Sequence, residues 1–408
     1  MLDVTVIGAG EYVSGLSPNQ DSDKKKGVIA LTLFDLRRRG LVGSITICAR
    51  DPKARQELEQ HFKANIETCY GLDSSFHYLP KSKRDVSAWQ EAIGAARPGS
   101  VVIVVTPDSL HYEIARFALQ RRLHVLVAKP VVETLDQHRE LIELSQEQGV
   151  VLRGEYHKRY DPMYRAAILR APGLGRFNFF SSYMSQPKKQ LETFRDWAGV
   201  KSDISSYLNS HHIDLHAQMV GDRYKPARVI ATASGGIGRE LLGRDIADTI
   251  SLSVVWESVV GTEHGIANYV ASWTAPPSDV HSQQRFFFSG EEGEIRIDQA
   301  HRGYHLTSVK NGPQSPNPLF MQYTPMDGKF VGQGGYGYQS IEIFLRDCLS
   351  GRVSGQDHND LYVTAILEGG RISLERHSQP VSVQYEGTER LLPSSLDSGE
   401  NDNIVSSR

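Results

Sequence analysis

Lys129 ends the apolar run Leu-His-Val-Leu-Val-Ala-Lys-Pro at 123–130, and both its type and its setting suit chemistry. Near-continuous Val/Leu runs mark parallel strands covered on both faces, and ligands of such sheets bind beyond the strands' carboxyl ends. An ammonium held there can meet charge developing on an oxygen. Pro130 cannot donate to a ladder and pushes Lys129 towards extended backbone, so the strand must stop at the lysine. A second chemical feature opens the chain, where a strand at 3–7 runs into Gly8-Ala9-Gly10-Glu11-Tyr12-Val13-Ser14-Gly15. The first glycine of such a turn makes it tight, and the second lets backbone approach a pyrophosphate. Gly8, Gly10, Glu11 and Tyr12 are the contacts this reading names, although Val13 stands where a third glycine is expected. The next strand, expected at 44–49, ends on Arg50, where a dinucleotide site that reads a ribose 2′-hydroxyl carries an acid. Arg50, with Lys53 and Arg55 nearby, suits a 2′-phosphate, because guanidinium binds phosphate bidentately. NADPH is therefore the expected cofactor, and Asp51 leaves NADH open.

Positioning these residues needs a regular scaffold. A helix is expected at 28–39 with Gly40 as its stop, a helix at 88–96, and a buried strand at 100–105. Thr106-Pro107-Asp108 then forms a turn, with Asp108 an N-cap for a helix reaching 121. After the Lys129 strand, Thr134 and Gln137 form a capping box for a helix closing at Gly149, and 150–152 is another short strand. Strands alternating with helices imply a doubly wound parallel sheet, a Rossmann-type α/β domain over 1–155. Beyond it the pattern changes to successive strands at 177–185, 227–233, 248–256, 265–273, 284–289 and 294–297. A run of strands without interleaved helices suggests a large, mostly antiparallel open sheet, hence an α+β domain over 156–388 for substrate binding and association. Helical patterns follow at 338–349 and 361–375, and the polar stretch 389–408 is expected to be a disordered tail. The lysine-rich segment 17–27 is expected to be a solvated insertion.

Composition limits the function classes. A chain of 408 residues with 39% hydrophobic content suggests two domains. The net charge of −3, without a basic stretch interleaved with aromatics, argues against a nucleic-acid partner. No apolar stretch approaches the length of a membrane span, and Cys48, Cys69 and Cys348 lack metal-ligand spacing. A cytoplasmic protein with no membrane partner and no metal is the expectation.

Val6-Ile7-Gly8-Ala9-Gly10, Thr106-Pro107-Asp108-Ser109-Leu110-His111, Ala128-Lys129-Pro130 and the segment around His211, in this order, resemble the glucose-fructose oxidoreductase / inositol dehydrogenase / rhizopine catabolism (Gfo/Idh/MocA) family, to about residue 385. Within it, Leu33-Phe34-Asp35-Leu36-Arg37-Arg38-Arg39-Gly40, Tyr183-Met184-Ser185-Gln186-Pro187-Lys188 and Tyr207-Leu208-Asn209-Ser210-His211-His212-Ile213-Asp214 look most similar to fungal D-galacturonate reductase-like proteins. The resemblance implies a nicotinamide enzyme acting on sugars, cyclitols or their acids. Thr106, Pro107, His111 and Lys129 fall on cofactor-contact positions. Ala128 stands where the family's Glu-Lys-Pro has its glutamate, and a cis Lys129–Pro130 bond is implied. The family's Asp-x-Gly-x-His-x-x-Asp falls on Tyr207, Asn209, His211 and Asp214, so two of its positions depart. His211 is then the general acid/base, Lys129 the oxyanion partner, and Tyr207 either a substrate contact or a space-filler.

The resulting expectation is reduction of the carbonyl of a sugar or sugar acid, with D-galacturonate to L-galactonate as the named reaction. A uronate needs its carboxylate held, for which His157, Lys158, Gln186 and Lys188 are candidates, with Asn209 and Asp214 alongside. The competing readings are a regulator of the same fold that senses dinucleotide or sugar without turnover, and a secondary-pathway dehydrogenase or imine reductase. Family members associate through the open face of the second sheet, so a homodimer or homotetramer is expected, with Phe177, Phe179, Phe287, Tyr269 and Trp273 as the aromatic positions one chain leaves uncovered.

Overall fold

Six short strands, β1 (Leu2–Ile7), β2 (Val42–Cys48), β3 (His77–Leu79), β4 (Val101–Val104), β5 (His124–Ala128) and β6 (Leu152–Glu155), form a wholly parallel sheet of order 3-2-1-4-5-6. The computed structural model describes residues 1–16, 26–280, 282–319, 323–326, 329–351, 359–385 and 392–399. The expected insertion at 17–27 lies mostly outside the described residues. All four residues of β4 and the first four of β5 are buried, as continuous apolar runs require in a sheet covered on both faces. Helices Ile29–Arg38, Ala88–Gly94, His111–Leu119 and Leu135–Gln148 alternate with the strands. β6 lies at Leu152–Glu155, later than the expected 150–152, because its register against β5 runs from Val125↔Leu152 to Ala128↔Glu155. Asp108 is not the expected helix cap: it opens a 3₁₀ turn, Asp108–Leu110, closed by the Leu110 N–H on Pro107 O, and its side chain makes no capping bond.

The chain forms two units. The first comprises residues 1–132, 137–165 and 303–357, the second 133–136, 166–302 and 358–408. Helix Tyr336–Ser350, which lies inside the segment assigned to a second domain, completes the first core instead: Tyr336, Tyr338, Ile341, Phe344 and Leu345 are buried with Val4, Val6, Leu33 and Phe34. The Tyr338 hydroxyl donates to Asp35 Oδ2 at 2.6 Å, and Arg153 pairs with Asp347 at 2.8 Å.

In the second unit an eight-stranded sheet contains β7 (Phe177–Pro187), β8 (Tyr224–Gly235), β9 (Ala247–Ser258), β10 (His264–Ala275), β11 (Gln283–Gly290) and β12 (Glu294–Asp298). Its order is β12-β11-β7-β10-β9-β8, continued by Val381–Tyr385 and Pro393–Asp397, and only the β7–β10 pair is parallel among these neighbours. Period-2 alternation sorts its faces: Ile250, Leu252, Val254 and Trp256 are buried, while Ser251, Ser253 and Val255 are not. Phe177, Tyr269 and Trp273, expected on the uncovered face, are at most 2% exposed and belong to the interior. Phe179 and Phe287 are half-buried and pack at 6.3 Å. Strand Pro393–Asp397, paired with Val381–Tyr385, corrects the expected disordered tail, because its backbone extends the sheet edge. No helix among the described residues is long and apolar enough to cross a membrane.

Candidate functional site

At Gly8 the backbone has φ 118°, and a Cβ there would lie 2.1 Å from the carbonyl oxygen of Val105. That carbonyl cannot retreat easily, since the Val105 N–H bonds Ile7 O at 2.8 Å and fixes the end of β4 against β1. Only glycine fits this crossing. At Gly10 the reverse holds: a Cβ would meet nothing within 4 Å, and the backbone (φ −67°, ψ −177°) suits any residue. Gly10 therefore leaves open space at the carboxyl edge of the sheet, the edge at which ligands of parallel sheets bind. Glu11 and Tyr12 begin the short helix Glu11–Ser14 that follows.

The neighbouring strand ends supply polar groups. Thr106 Oγ1 is buried without a hydrogen-bond partner among the described residues, and Pro107 beside it is exposed. His111 is fully buried, with Nδ1 2.9 Å from Pro130 O and Nε2 2.9 Å from Thr106 O. It ties the turn after β4 to the turn after β5. Lys129 is half-buried at the end of β5, and the Lys129–Pro130 bond is cis, as expected. Arg50, at the end of β2, is exposed and has no ion-pair partner among the described residues, whereas Arg55 is engaged by Glu59 at 2.7 Å.

Glu155 closes β6 and was not among the expected site residues. It is 4% exposed, and burial pushes its carboxyl up to about 7 although two donated hydrogen bonds oppose the shift. The donors are Tyr12 OH, 3.2 Å from Oε1, and Ser340 Oγ, 2.5 Å from Oε2. His157 Nδ1 lies 3.9 Å from Oε1 and 3.4 Å from Tyr12 OH. The His157 ring is sandwiched between Tyr12 and Tyr336, each centroid 5.7 Å away. Thus Tyr12 and His157 meet as ring neighbours. The signal available in sequence was an acid closing Leu-Arg-Gly-Glu, but an acid at a strand end is ordinary until its burial is known. Lys158 is 5% exposed, with Nζ 5.9 Å from the Tyr164 ring centroid.

In the second unit a π-helical turn, Ser205–Asn209, leads into helix Ser210–Val220, a local irregularity often found at functional sites. Asn209, His211 and Asp214 are all buried on it. Asn209 Nδ2 donates to Ser205 Oγ at 3.0 Å, while its Oδ1, like Gln186 Oε1 near the end of β7, is buried without a partner among the described residues. Orphaned acceptors of this kind suit the hydroxyl donors of a polyol. Lys188 is exposed just beyond β7's end. Tyr207 sits among rings, 5.4 Å from Phe194 and 5.3 Å from Trp197, so aromatic packing occupies the position where the resemblance implied a charge. His212 packs edge-on to Phe286 at 6.0 Å. His216, one turn on, is stacked on Phe180 at 4.4 Å and held neutral by burial. His211 differs from it in lying beside the irregular turn rather than in the aromatic interior.

A family model described as "Oxidoreductase family, NAD-binding Rossmann fold" matches residues 3–156. The 1,5-anhydro-D-fructose reductase of Ensifer adhaerens is 32% identical over 166 residues, 38% of this chain and 48% of that protein. The NADP(+)-type scyllo-inositol 2-dehydrogenase of Bacillus subtilis is 26% identical over 124 residues, 30% of this chain and 35% of that protein. The matched stretches therefore span less than half of these curated relatives. The crystal structure of scyllo-inositol dehydrogenase from Lactobacillus casei, with bound NAD(H) and scyllo-inositol, superposes with a TM-score of 0.66 at 14% identity, covering 94% of this chain and 99% of that one. The likeness to that structure establishes the fold.

Proposed function

We propose that this chain, whose residues 3–156 match the family model described as an oxidoreductase family with an NAD-binding Rossmann fold, is an NAD(P)-dependent oxidoreductase acting on the CH–OH or C=O group of a sugar or sugar acid. The observation that carries the reading is the first unit's carboxyl edge: a glycine-only crossing at Gly8, open space at Gly10, and an orphaned Thr106 hydroxyl. A nicotinamide bound there supplies or accepts hydride. Lys129 places positive charge where an alkoxide develops, and His211 moves the proton. Asn209 and Gln186 accept hydrogen bonds from substrate hydroxyls, with Asp214 alongside as a further substrate contact.

NADPH is the preferred form in this proposal, on the strength of exposed Arg50, and D-galacturonate, reduced to L-galactonate, is its first substrate, with Lys158 and Lys188 as the cations for a carboxylate. The test is oxidation of NADPH and NADH at 340 nm against uronates, neutral aldoses and cyclitol ketones. Turnover on a uronate supports the full proposal, and turnover on the others alone leaves the enzyme and replaces the substrate. Stoichiometric dinucleotide binding with no turnover on any of them overturns catalysis in favour of a sensing role.

A further inference from the structure

We propose that Glu155 is a positioning residue for the nicotinamide end of the dinucleotide site, and that its charge sets which redox form of the nicotinamide is held more tightly. The inference rests on the dinucleotide reading above. Sheet order carries the placement. A dinucleotide with its pyrophosphate at Gly8–Gly10 and its adenosine at the end of β2, beside Arg50, must send its other half over the ends of β4, β5 and β6. Glu155 closes β6 in register with Ala128, the residue before Lys129. It brings a carboxylate to that edge, and its charge is not dissipated into water: it is 4% exposed and bonded by Tyr12 OH and Ser340 Oγ.

Tyr12 follows the glycine turn directly, so the same carboxylate that carries the charge also fixes the ring beside the turn. The groups facing Glu155 are Tyr12, Tyr160, His157, Arg153 and Arg159, with Tyr336 against the far side of Tyr12 and His157. Arg153 is shared with Asp347, and burial raises the pKa of Tyr12 and of Tyr160, so both stay neutral near pH 7; His157 is the other group whose ordinary range lies near neutrality. Oxidised nicotinamide is a cation and reduced nicotinamide is not, so an ionised Glu155 favours the oxidised form and a protonated Glu155 loses that preference.

The experiment measures Kd for both redox forms by titration, from pH 5.5 to 8.5, for the intact wild type, Glu155→Gln, Tyr12→Phe, Ser340→Ala and His157→Gln. In the wild type the ratio of reduced-form to oxidised-form Kd should rise roughly three- to tenfold with pH, and in Glu155→Gln it should be flat. Tyr12→Phe and Ser340→Ala each remove one donor to the carboxylate, so they should move the rise to higher pH, which a merely structural role would not do. These two variants keep Glu155 and its packing, so they decide the matter if Glu155→Gln does not fold. His157→Gln should retain the rise. A rise that persists in Glu155→Gln, that vanishes only in His157→Gln, or that is missing from the wild type overturns the inference alone. Failure of the wild type to bind either redox form overturns the dinucleotide reading beneath it.

Discussion

Alanine at Gly8 and at Gly10 should fail in opposite ways. At Gly8 the new Cβ meets Val105 O at 2.1 Å, and φ 118° lies in a region that L-residues rarely adopt. The conformational penalty is about 1–3 kcal/mol, and relieving the overlap by shifting backbone adds about 1–3 kcal/mol more. The shift is hard to make because it must stretch the Val105 N–H to Ile7 O bond that joins β1 and β4. Gly8→Ala should therefore lose about 2–6 kcal/mol of stability, read as a lowered urea midpoint by far-UV circular dichroism. At Gly10 a Cβ meets no protein atom within 4 Å and the backbone already suits alanine, so stability should hold or rise by up to about 1 kcal/mol. The methyl would instead enter the space proposed for the dinucleotide, and overpacking of about 1–3 kcal/mol would weaken binding roughly five- to 150-fold. Gly10→Ala with unchanged dinucleotide affinity would refute the location of the site. Gly8→Ala with an unchanged midpoint would refute the argument from the crossing.

Lys129→Met and His211→Asn should each lower turnover by about 10²–10⁴-fold with dinucleotide affinity little changed, and the double variant should lose less than the product. Tyr207→Phe keeps the packing against Phe194 and Trp197, so steady-state assays should find turnover within a few-fold of wild type. Arg50→Ala should weaken NADPH by roughly 1.5–3 kcal/mol and leave NADH nearly unchanged by fluorescence titration; equal losses would sink the 2′-phosphate assignment. Burial raises the folded carboxyl of Glu155 from 4.5 to about 7, so the folded protein keeps a proton that the unfolded chain has lost, and stability falls as pH rises through that window, by an amount on the order of 3 kcal/mol at most. Urea midpoints of Glu155→Gln should accordingly fall less than the wild type's between pH 4.5 and pH 7. Half-buried Phe179 and Phe287 on the open sheet face are the proposed association surface, so sedimentation at micromolar concentration should show a dimer or tetramer.

The sequence by itself determined the features that depend on local chemistry and period. The alternation of 250–256 and the unbroken apolar runs of β4 and β5 specified strands, because side-chain period and burial follow directly from where the sheet is covered. Gly8 announced a tight crossing, and Pro130 fixed the stop after Lys129. Tertiary structure decided what depends on distant partners. Helix Tyr336–Ser350 shows an amphipathic pattern in either unit, and only packing against Val4, Val6 and Phe34 assigns it to the first. Phe177, Tyr269 and Trp273 are apolar on any reading, and which face they occupy follows from the pairing register, where a shift of one residue exchanges the two faces. Glu155 is an ordinary acid at the end of a strand until Tyr12, some 143 positions away, and Ser340, some 185 away, enclose it. Its charge state is set by lost solvation and two hydroxyl donors, and those are properties of the folded neighbourhood rather than of the residue.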